Sequence, residues 1–319
     1  MKPLCSLSLD LDNLWSYMRV HGDEGWAKFP SYLDVFVPRF LDFCAERDVK
    51  MTVFIVGQDA AIEENHRWLR MIAEAGHEIC NHSFRHEPWL HNYSPDEIAE
   101  ELSAAENAIE AATGVMPRGF RGPGFSFSRE VLERLAARGY DYDASTFPTF
   151  IGPLARAYYF ATAKLSKEER SERSHLFGSV RDVFRPNTPF YWTLDNGPLL
   201  EVPVTTIPLI RSPFHFSYLI FLAEKSPALA RLYLRLAILL CRVTRTEPSM
   251  LLHPLDFLGP EDAAELQFFP GMKTGAATKT RWLGDFLDQF NEHFTLVAMG
   301  EHVRQIKRRG RLLALAPSR

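Results

Sequence analysis

The chain has 319 residues, 46% of them hydrophobic, and a formal charge of -4 at pH 7. These values are typical of a globular, enzyme-sized protein with a sizeable core, and they give no indication of a nucleic-acid partner. Four scattered cysteines form no CxxC pair and no disulfide framework, and the first apolar segment follows the start of the chain without a signal-peptide pattern. We therefore expect a cytoplasmic protein.

Short apolar runs alternate with helical patterns along the chain. The predicted strands are residues 4–9, 51–56, 76–80, 118–120, 140–142, 199–205, 250–252 and 294–298. The predicted helices are residues 38–47, 60–75, 94–114, 128–139 and 278–291, with a further helix at the C-terminal end. Pro38 is expected in the first turn of its helix, and Ser94-Pro95-Asp96-Glu97 is a strong helix start.

Two stretches do not follow this alternation. Residues 149–196 are polar, aromatic and marked by prolines, which predicts a long excursion over one end of the sheet. Residues 213–243 are strongly apolar, but charged residues interrupt every run before it reaches the roughly 18–20 residues of a membrane span. Packing against the sheet or a second subunit is one interpretation of 213–243. Shallow contact with a membrane, or with a lipid tail of a substrate, is the other.

Alternating strands and helices favour an α/β fold, and eight strands in one chain favour a barrel of parallel strands in one domain over residues 1–319. Ionisable residues follow the predicted strands, at the end where such barrels collect their chemistry. They are Asp10, Asp12, His82, His86, Arg121, Asp143 and His253.

The histidine pair is the centre of the functional prediction. His82 and His86, four residues apart, can direct both imidazoles at one ion if they lie on one helical turn. Two histidines with this spacing also occur by chance among surface and core residues. The pair gains weight here because carboxylates at other strand ends can complete a metal site.

Together these motifs resemble the polysaccharide deacetylase (NodB homology, carbohydrate esterase family 4) superfamily. The family's H-[ST]-x-x-H is matched by residues 82–86, its R-x-P by residues 121–123 and its L-x-H by residues 251–253. Asp143-Ala144-Ser145 matches a D-x-S. The first motif, residues 9–13, departs from the common T-F-D-D-G and has a D-x-D.

The resemblance implies a deformed (β/α)7-type barrel that hydrolyses an N-acetyl group of an amino sugar, using one divalent metal ion, with zinc as first choice. It implies metal binding by Asp12, His82 and His86, with Asp10 as base and His253 as acid. The resemblance leaves open whether Asp10 and Asp12 exchange the roles of base and metal ligand. Arg121 is expected to orient Asp10, and Asp143 to hold Arg121.

Several functional alternatives stay open. Trp15 and Phe125 are candidates for stacking on a sugar, although packing is the simpler interpretation. The substrate is expected to be an N-acetylated saccharide, soluble or lipid-linked at the inner membrane face. A deformylase or small-amide hydrolase on the same scaffold is one alternative, and a catalytically silent carbohydrate-binding protein is another. The sequence gives no oligomeric state, and a homo-oligomer is compatible with it.

Overall fold

The computed structural model describes residues 2–150 and 183–317, and a mostly parallel sheet runs through them. Its strands are β1 (Leu4–Leu11), β2 (Thr52–Ile55), β3 (Glu78–Asn81), β4 (Gly119–Phe120), β5 (Tyr142–Asp143), β6 (Phe190–Trp192), β7 (Leu199–Glu201), β8 (Ser249–Leu252), β9 (Thr295–Ala298) and β10 (Ala314–Leu315). The order is β10-β6-β7-β5-β4-β3-β2-β1-β8, with β9 also paired to β1. Only the β6–β7 pair is antiparallel within this described part of the chain.

All the predicted strands are present, and the structure adds β6 and β10. The strands at the two ends of the order, β8 and β10, do not pair with each other. The sheet is therefore not closed, and the predicted α/β fold with a deformed barrel is confirmed.

Strand register brings the predicted site residues to one edge of the sheet. Leu11 pairs with Ile55, Ile55 with Asn81, and Asn81 with Phe120. On the other side of β1, Leu9 pairs with Leu252. Because parallel strands share their carboxyl ends, the residues that follow these positions emerge side by side. They are Asp10, Asp12, His82, Arg121 and His253.

Helices cover the sheet. In the described residues they are α1 (Leu14–His21), α2 (Leu33–Glu46), α3 (Gly57–Ala60), α4 (Glu63–Glu74), α5 (Pro95–Thr113), α6 (Arg129–Ala137), α7 (Phe216–Lys225), α8 (Pro227–Val243), α9 (Ala276–His293) and α10 (Met299–Arg309). The start of α10 lies at the amino end of the sheet, where Thr52 Oγ1 accepts from the Met299 N–H at 2.7 Å. The opposite end of the sheet carries the site residues.

Local sequence explains several helix boundaries. The capping box of Ser94 and Glu97 is present at the start of α5, and Ser128 caps α6 by accepting from the Val131 N–H. The prediction that Pro38 begins a helix is wrong, because α2 starts at Leu33 and contains Pro38 in its interior. Pro38 has no N–H, so α2 lacks one backbone hydrogen bond at this position. Burial of six apolar residues along α2 stabilises the helix in spite of this loss. The helix predicted at 60–75 is divided into α3 and α4.

The two irregular stretches have different outcomes. Residues 151–182 of the first lie outside the described residues, so the predicted excursion stays a prediction there, while residues 190–192 near its end form β6. The second forms α7 and α8. In the part of the chain that the structure describes, no helix is both long and apolar enough to cross a bilayer. A single domain stays a prediction.

Candidate metal centre

Asp12, His82 and His86 converge at the carboxyl end of β1 and β3. One ligand atom from each lies within 4.8 Å of the others, and all three residues are buried. Asp12 Oδ1 is 2.9 Å from His86 Nε2 and 3.4 Å from His82 Nε2. One carboxylate and two imidazoles facing a common point form a typical site for a divalent transition metal, with positions left for other ligands.

The two histidines reach this point along a loop, and the expectation of a helical turn is wrong. Residues 82–88 contain no helix, and Ser83 and His86 have positive φ angles of 62° and 54°. The buried Glu101 fixes the loop by accepting from the Phe84 and Arg85 N–H groups at 3.0 and 2.5 Å. The left-handed backbone conformations of Ser83 and His86 reverse the chain direction, so that His86 lies close to His82.

Hydrogen bonding sets the tautomer of His82. Its Nδ1 lies 2.6 Å from the Arg121 carbonyl oxygen, which can only accept, so Nδ1 carries the proton. His82 Nε2 is thereby directed at Asp12. A backbone carbonyl that orients a ligating imidazole in this way is a common outer-shell feature of metal sites.

Unpartnered buried atoms indicate that the three residues fit a metal ion. His86 Nε2 and Asp12 Oδ1 approach closely, yet among residues 2–150 and 183–317 neither has a hydrogen-bond partner of acceptable geometry. Burial alone would raise the pKa of Asp12, but the two histidines hold it well below its usual range. Burial opposes the charge of His82, while Asp10 and Asp12 raise its pKa. A buried carboxylate that faces two buried imidazoles is an arrangement that a divalent cation can stabilise, with the imidazoles deprotonated when the ion binds.

Asp10 lies beside this cluster and is held by Arg121. Arg121 is fully buried, and its Nη1 donates to Asp10 Oδ1 at 2.6 Å and to Ser8 Oγ at 3.0 Å. Its Cζ lies 4.3 Å from the centre of the Phe54 ring. Asp10 Oδ2 faces His82 Nε2 at 3.9 Å. This geometry groups Asp12 with the histidines and Asp10 with the arginine, which favours Asp12 as ligand and Asp10 as base.

Asp143 does not hold Arg121, and this expectation is wrong. In the described residues no ion pair joins the two side chains; Arg121 Nε instead donates to the Ala144 carbonyl at 3.0 Å. Asp143 Oδ1 accepts from Ser145 Oγ at 2.5 Å, and Asp143 pairs in register with Glu201 of β7. Burial raises the pKa of both carboxyls. Asp143 therefore supports the strand end, and no hydrogen bond in the described residues joins it to Asp10.

His253 follows β8 and is part of a hydrogen-bonded chain. Ser217 Oγ donates to Asp256 Oδ2 at 2.8 Å, so it accepts from His253 Nδ1 at 2.9 Å. The same Asp256 oxygen accepts from the His253 N–H at 2.8 Å. Because Nδ1 carries a proton in this chain, Nε2 is the nitrogen that can gain and lose one.

Sequence reasoning missed Ser217 and Asp256. Asp256 stands three residues after His253 and accepts from its backbone N–H, a spacing that was readable in the sequence. Ser217 carried no such signal, since its position depends on how α7 packs beside β8.

Aromatic side chains line the rim near His253. Phe125, half-buried, lies 5.0 Å from Phe147 between ring centres, and Phe147 lies 5.6 Å from His215. Burial, with His253 nearby, lowers the pKa of His215 to about 3, so this ring is neutral. Phe125 remains a candidate substrate contact.

Trp15 does not offer its face to a substrate. It is buried, its Nε1 donates to Asp59 Oδ1 at 2.9 Å, and its ring centre lies 6.5 Å from that of His86. The expectation of sugar stacking by Trp15 is wrong, because α1 packs the ring into the interior next to His86. Burial raises the pKa of its partner Asp59 to about 7.

Comparisons with known proteins identify the family. A sequence profile of the polysaccharide deacetylase family matches residues 23–142. The chain is 34% identical to a chitooligosaccharide deacetylase of Bradyrhizobium sp. (strain ANU 289), over 32% of this chain and 46% of that protein. It is 31% identical to the uncharacterized protein YlxY of Bacillus subtilis (strain 168), over 32% of this chain and 31% of that one. The chain thus spans less than half the length of these relatives.

A structural comparison supports the fold. A crystal structure of a Mycobacterium smegmatis protein designated a polysaccharide deacetylase superposes with a TM-score of 0.59 and 19% identity, covering 97% of this chain and 92% of that one. The sequence matches support the polysaccharide deacetylase (NodB homology, carbohydrate esterase family 4) superfamily for residues 23–142. Deacetylases of this family are in general metalloenzymes.

Proposed function

We propose that the protein is a metal-dependent hydrolase that removes an N-acetyl group from an amino sugar of a glycan or a lipid-linked saccharide precursor. The observation that carries this proposal is the convergence of Asp12, His82 and His86 beside the Asp10–Arg121 pair. A silent sugar-binding protein has no need of a buried base next to unpartnered metal ligands, which are costly to retain.

The ligand set supports zinc as the resident ion, since two imidazoles and one carboxylate are ligands common in catalytic zinc sites. Such an ion, when bound, polarises the amide carbonyl and lowers the pKa of a water molecule. Asp12, His82 and His86 would hold it. Iron, cobalt, nickel and manganese accept the same mixed ligation and belong in the same test.

Two side chains of the protein carry out the two proton transfers of the proposed reaction. Arg121 holds Asp10 Oδ1, which leaves Oδ2 to accept the proton of the attacking water. His253, with Nδ1 fixed by Ser217, donates from Nε2 to the departing amine, a poor leaving group until it is protonated. The two groups lie on neighbouring strands, with Leu9 paired to Leu252 one residue before each.

The test is release of acetate from N-acetylglucosamine oligomers by the zinc-loaded protein, beside Asp10→Asn and His253→Ala. We expect acetate from the wild type, and a fall of about 10²–10⁴-fold in kcat for each variant. Formate from formylated substrates, without acetate, would replace this proposal with a deformylase. Saturable sugar binding without any hydrolysis would replace it with a carbohydrate-binding protein. A cytoplasmic location stays a prediction, with which the four buried, unpaired cysteines are consistent.

A further inference from the structure

Helix α8 is apolar on two opposite sides. One side packs into the protein through Ala230, Leu234, Ala237, Ile238 and Cys241. The opposite side exposes a stripe of aliphatic residues, with fractional exposures of 50% for Leu229, 65% for Leu232, 43% for Leu236, 52% for Leu239 and 68% for Val243. We call these five residues the leucine stripe. At 1.5 Å per residue it is roughly 21 Å long. Exposed apolar rows of this size mark interaction surfaces.

Arginines flank this stripe on one side. Arg231, Arg235 and Arg242 are exposed, and α8 contains no acidic residue. At about 100° per residue, the three arginines lie roughly 100° from the centre of the leucine stripe. Arg231 pairs with Asp285 at 2.9 Å. The other two have no ion-pair partner among residues 2–150 and 183–317.

A second apolar feature is attached to the same helix. Thr206 and Pro213 bridge the base of a loop whose tip exposes Leu209 by 80% and Ile210 by 46%. Tyr233 of α8 fixes the end of this loop, with its hydroxyl 2.7 Å from the Pro213 carbonyl oxygen. This hydrogen bond attaches the loop to α8.

The positive charge of α8 indicates which partner binds the leucine stripe. A second copy of the chain, pairing α8 with α8, would bring two arginine flanks together without an acidic residue on either helix to compensate. An anionic bilayer surface complements both features. Aliphatic side chains enter the boundary between headgroups and acyl chains, while arginines bind the phosphates. We propose that α8 and the 206–213 loop dock on the surface of an anionic lipid bilayer.

Helix α7 connects the proposed docking surface, formed by α8 and the 206–213 loop, to the candidate site. Helix α7 places Ser217 against His253 near its start and continues through Ser226 directly into α8. The ten residues of α7 span about 15 Å, so a docked α8 brings the rim of the site close to the bilayer surface. If the proposed function holds, this placement suits an N-acylated sugar on a lipid carrier.

Vesicle binding tests the docking separately from the activity. Zinc-loaded full-length protein is sedimented with phosphatidylcholine vesicles, with or without about a third of phosphatidylglycerol, at low and high salt. We expect binding to the anionic vesicles only, weakened by salt. Leu232→Ser/Leu236→Ser/Leu239→Ser should reduce the partition coefficient at least about 10-fold, and Arg235→Glu/Arg242→Glu should abolish the preference for anionic lipid.

The matched control is Val115→Ser/Leu313→Ser, which changes two exposed aliphatic residues elsewhere and should bind as the wild type does. Circular dichroism and hydrolysis of a soluble oligosaccharide check that each variant is folded. Absence of vesicle binding by the wild type would overturn the proposal, as would binding that survives the triple substitution. A dimer in sedimentation velocity that the triple substitution dissociates, without vesicle binding, would identify a second copy as the occupant instead.

Discussion

Removing the Ser217 hydroxyl tests whether the His253–Ser217–Asp256 chain assists catalysis. In the structure, Ser217 accepts from His253 Nδ1 and donates to Asp256, so it is the link between the imidazole and a buried carboxyl group. Burial raises the pKa of Asp256, while His253, Ser217 and Lys279 act in the opposite direction. Ser217→Ala breaks the chain and leaves both ends in place.

The expected size of the effect follows from the charge on the ring. A hydrogen bond to a charged group contributes about 1.5–3 kcal/mol. Each 1.36 kcal/mol is a factor of ten in rate, so loss of this bond to the imidazolium lowers kcat about 10- to 100-fold. We expect little change in KM, because Ser217 acts on the orientation and proton affinity of His253.

The assay is steady-state acetate release from N-acetylglucosamine oligomers by zinc-loaded protein. Ser217→Thr keeps a hydroxyl and should recover most of kcat. Ser212→Ala removes a hydroxyl from the same part of the chain, one that contacts Tyr233 at 2.6 Å, and should be neutral towards kcat. If folded, metal-loaded Ser217→Ala keeps kcat within about twofold of the wild type, the role inferred for this chain is refuted.

Three further changes test other parts of the site. Arg121→Met leaves the buried Asp10 charge uncompensated and should lower the free energy of unfolding in urea by about 3–5 kcal/mol; a loss under about 1 kcal/mol would contradict the buried pair. Asp59, with a pKa of about 7, holds in the folded state a proton that it loses near pH 4 when unfolded. Metal-free wild type should therefore lose stability relative to Asp59→Asn as pH rises from about 4 to 7, by up to about 4 kcal/mol, and parallel pH profiles of the two proteins would contradict this sign. Phe125→Ala should raise KM about fivefold at constant kcat if its ring contacts the sugar, whereas an unchanged KM would assign the ring to packing with Phe147.

Much of the site was predictable because strand ends are visible in a sequence. Short apolar runs ended by Asp10, His82, Arg121 and His253 place these residues at one edge once the strands are parallel. The candidate metal ligands could be chosen by their chemistry, since few side chains other than Asp, Glu, His and Cys bind such ions. Local signals such as the capping box at Ser94 also held, because they depend on neighbours in the chain.

What escaped prediction depends on tertiary packing. Asp143 was expected to contact Arg121. Instead, Asp143 pairs in register with Glu201 of the neighbouring strand, and Arg121 donates to the Ala144 carbonyl oxygen. The apolar pattern of 213–243 did not show which leucines would face outwards. Trp15 was equally ambiguous, since a buried and a sugar-stacking tryptophan have the same sequence.

Metal content is the most direct test of the central claim, that Asp12, His82 and His86 form a metal centre. Freshly purified protein and His82→Ala/His86→Ala are analysed side by side by plasma mass spectrometry, with His66→Ala as a control outside the cluster. The account predicts about one divalent ion per chain in the wild type and the control, and its loss in the double variant. A wild type that stays metal-free after reconstitution with zinc, cobalt or manganese, or a double variant that keeps its ion, would contradict the account.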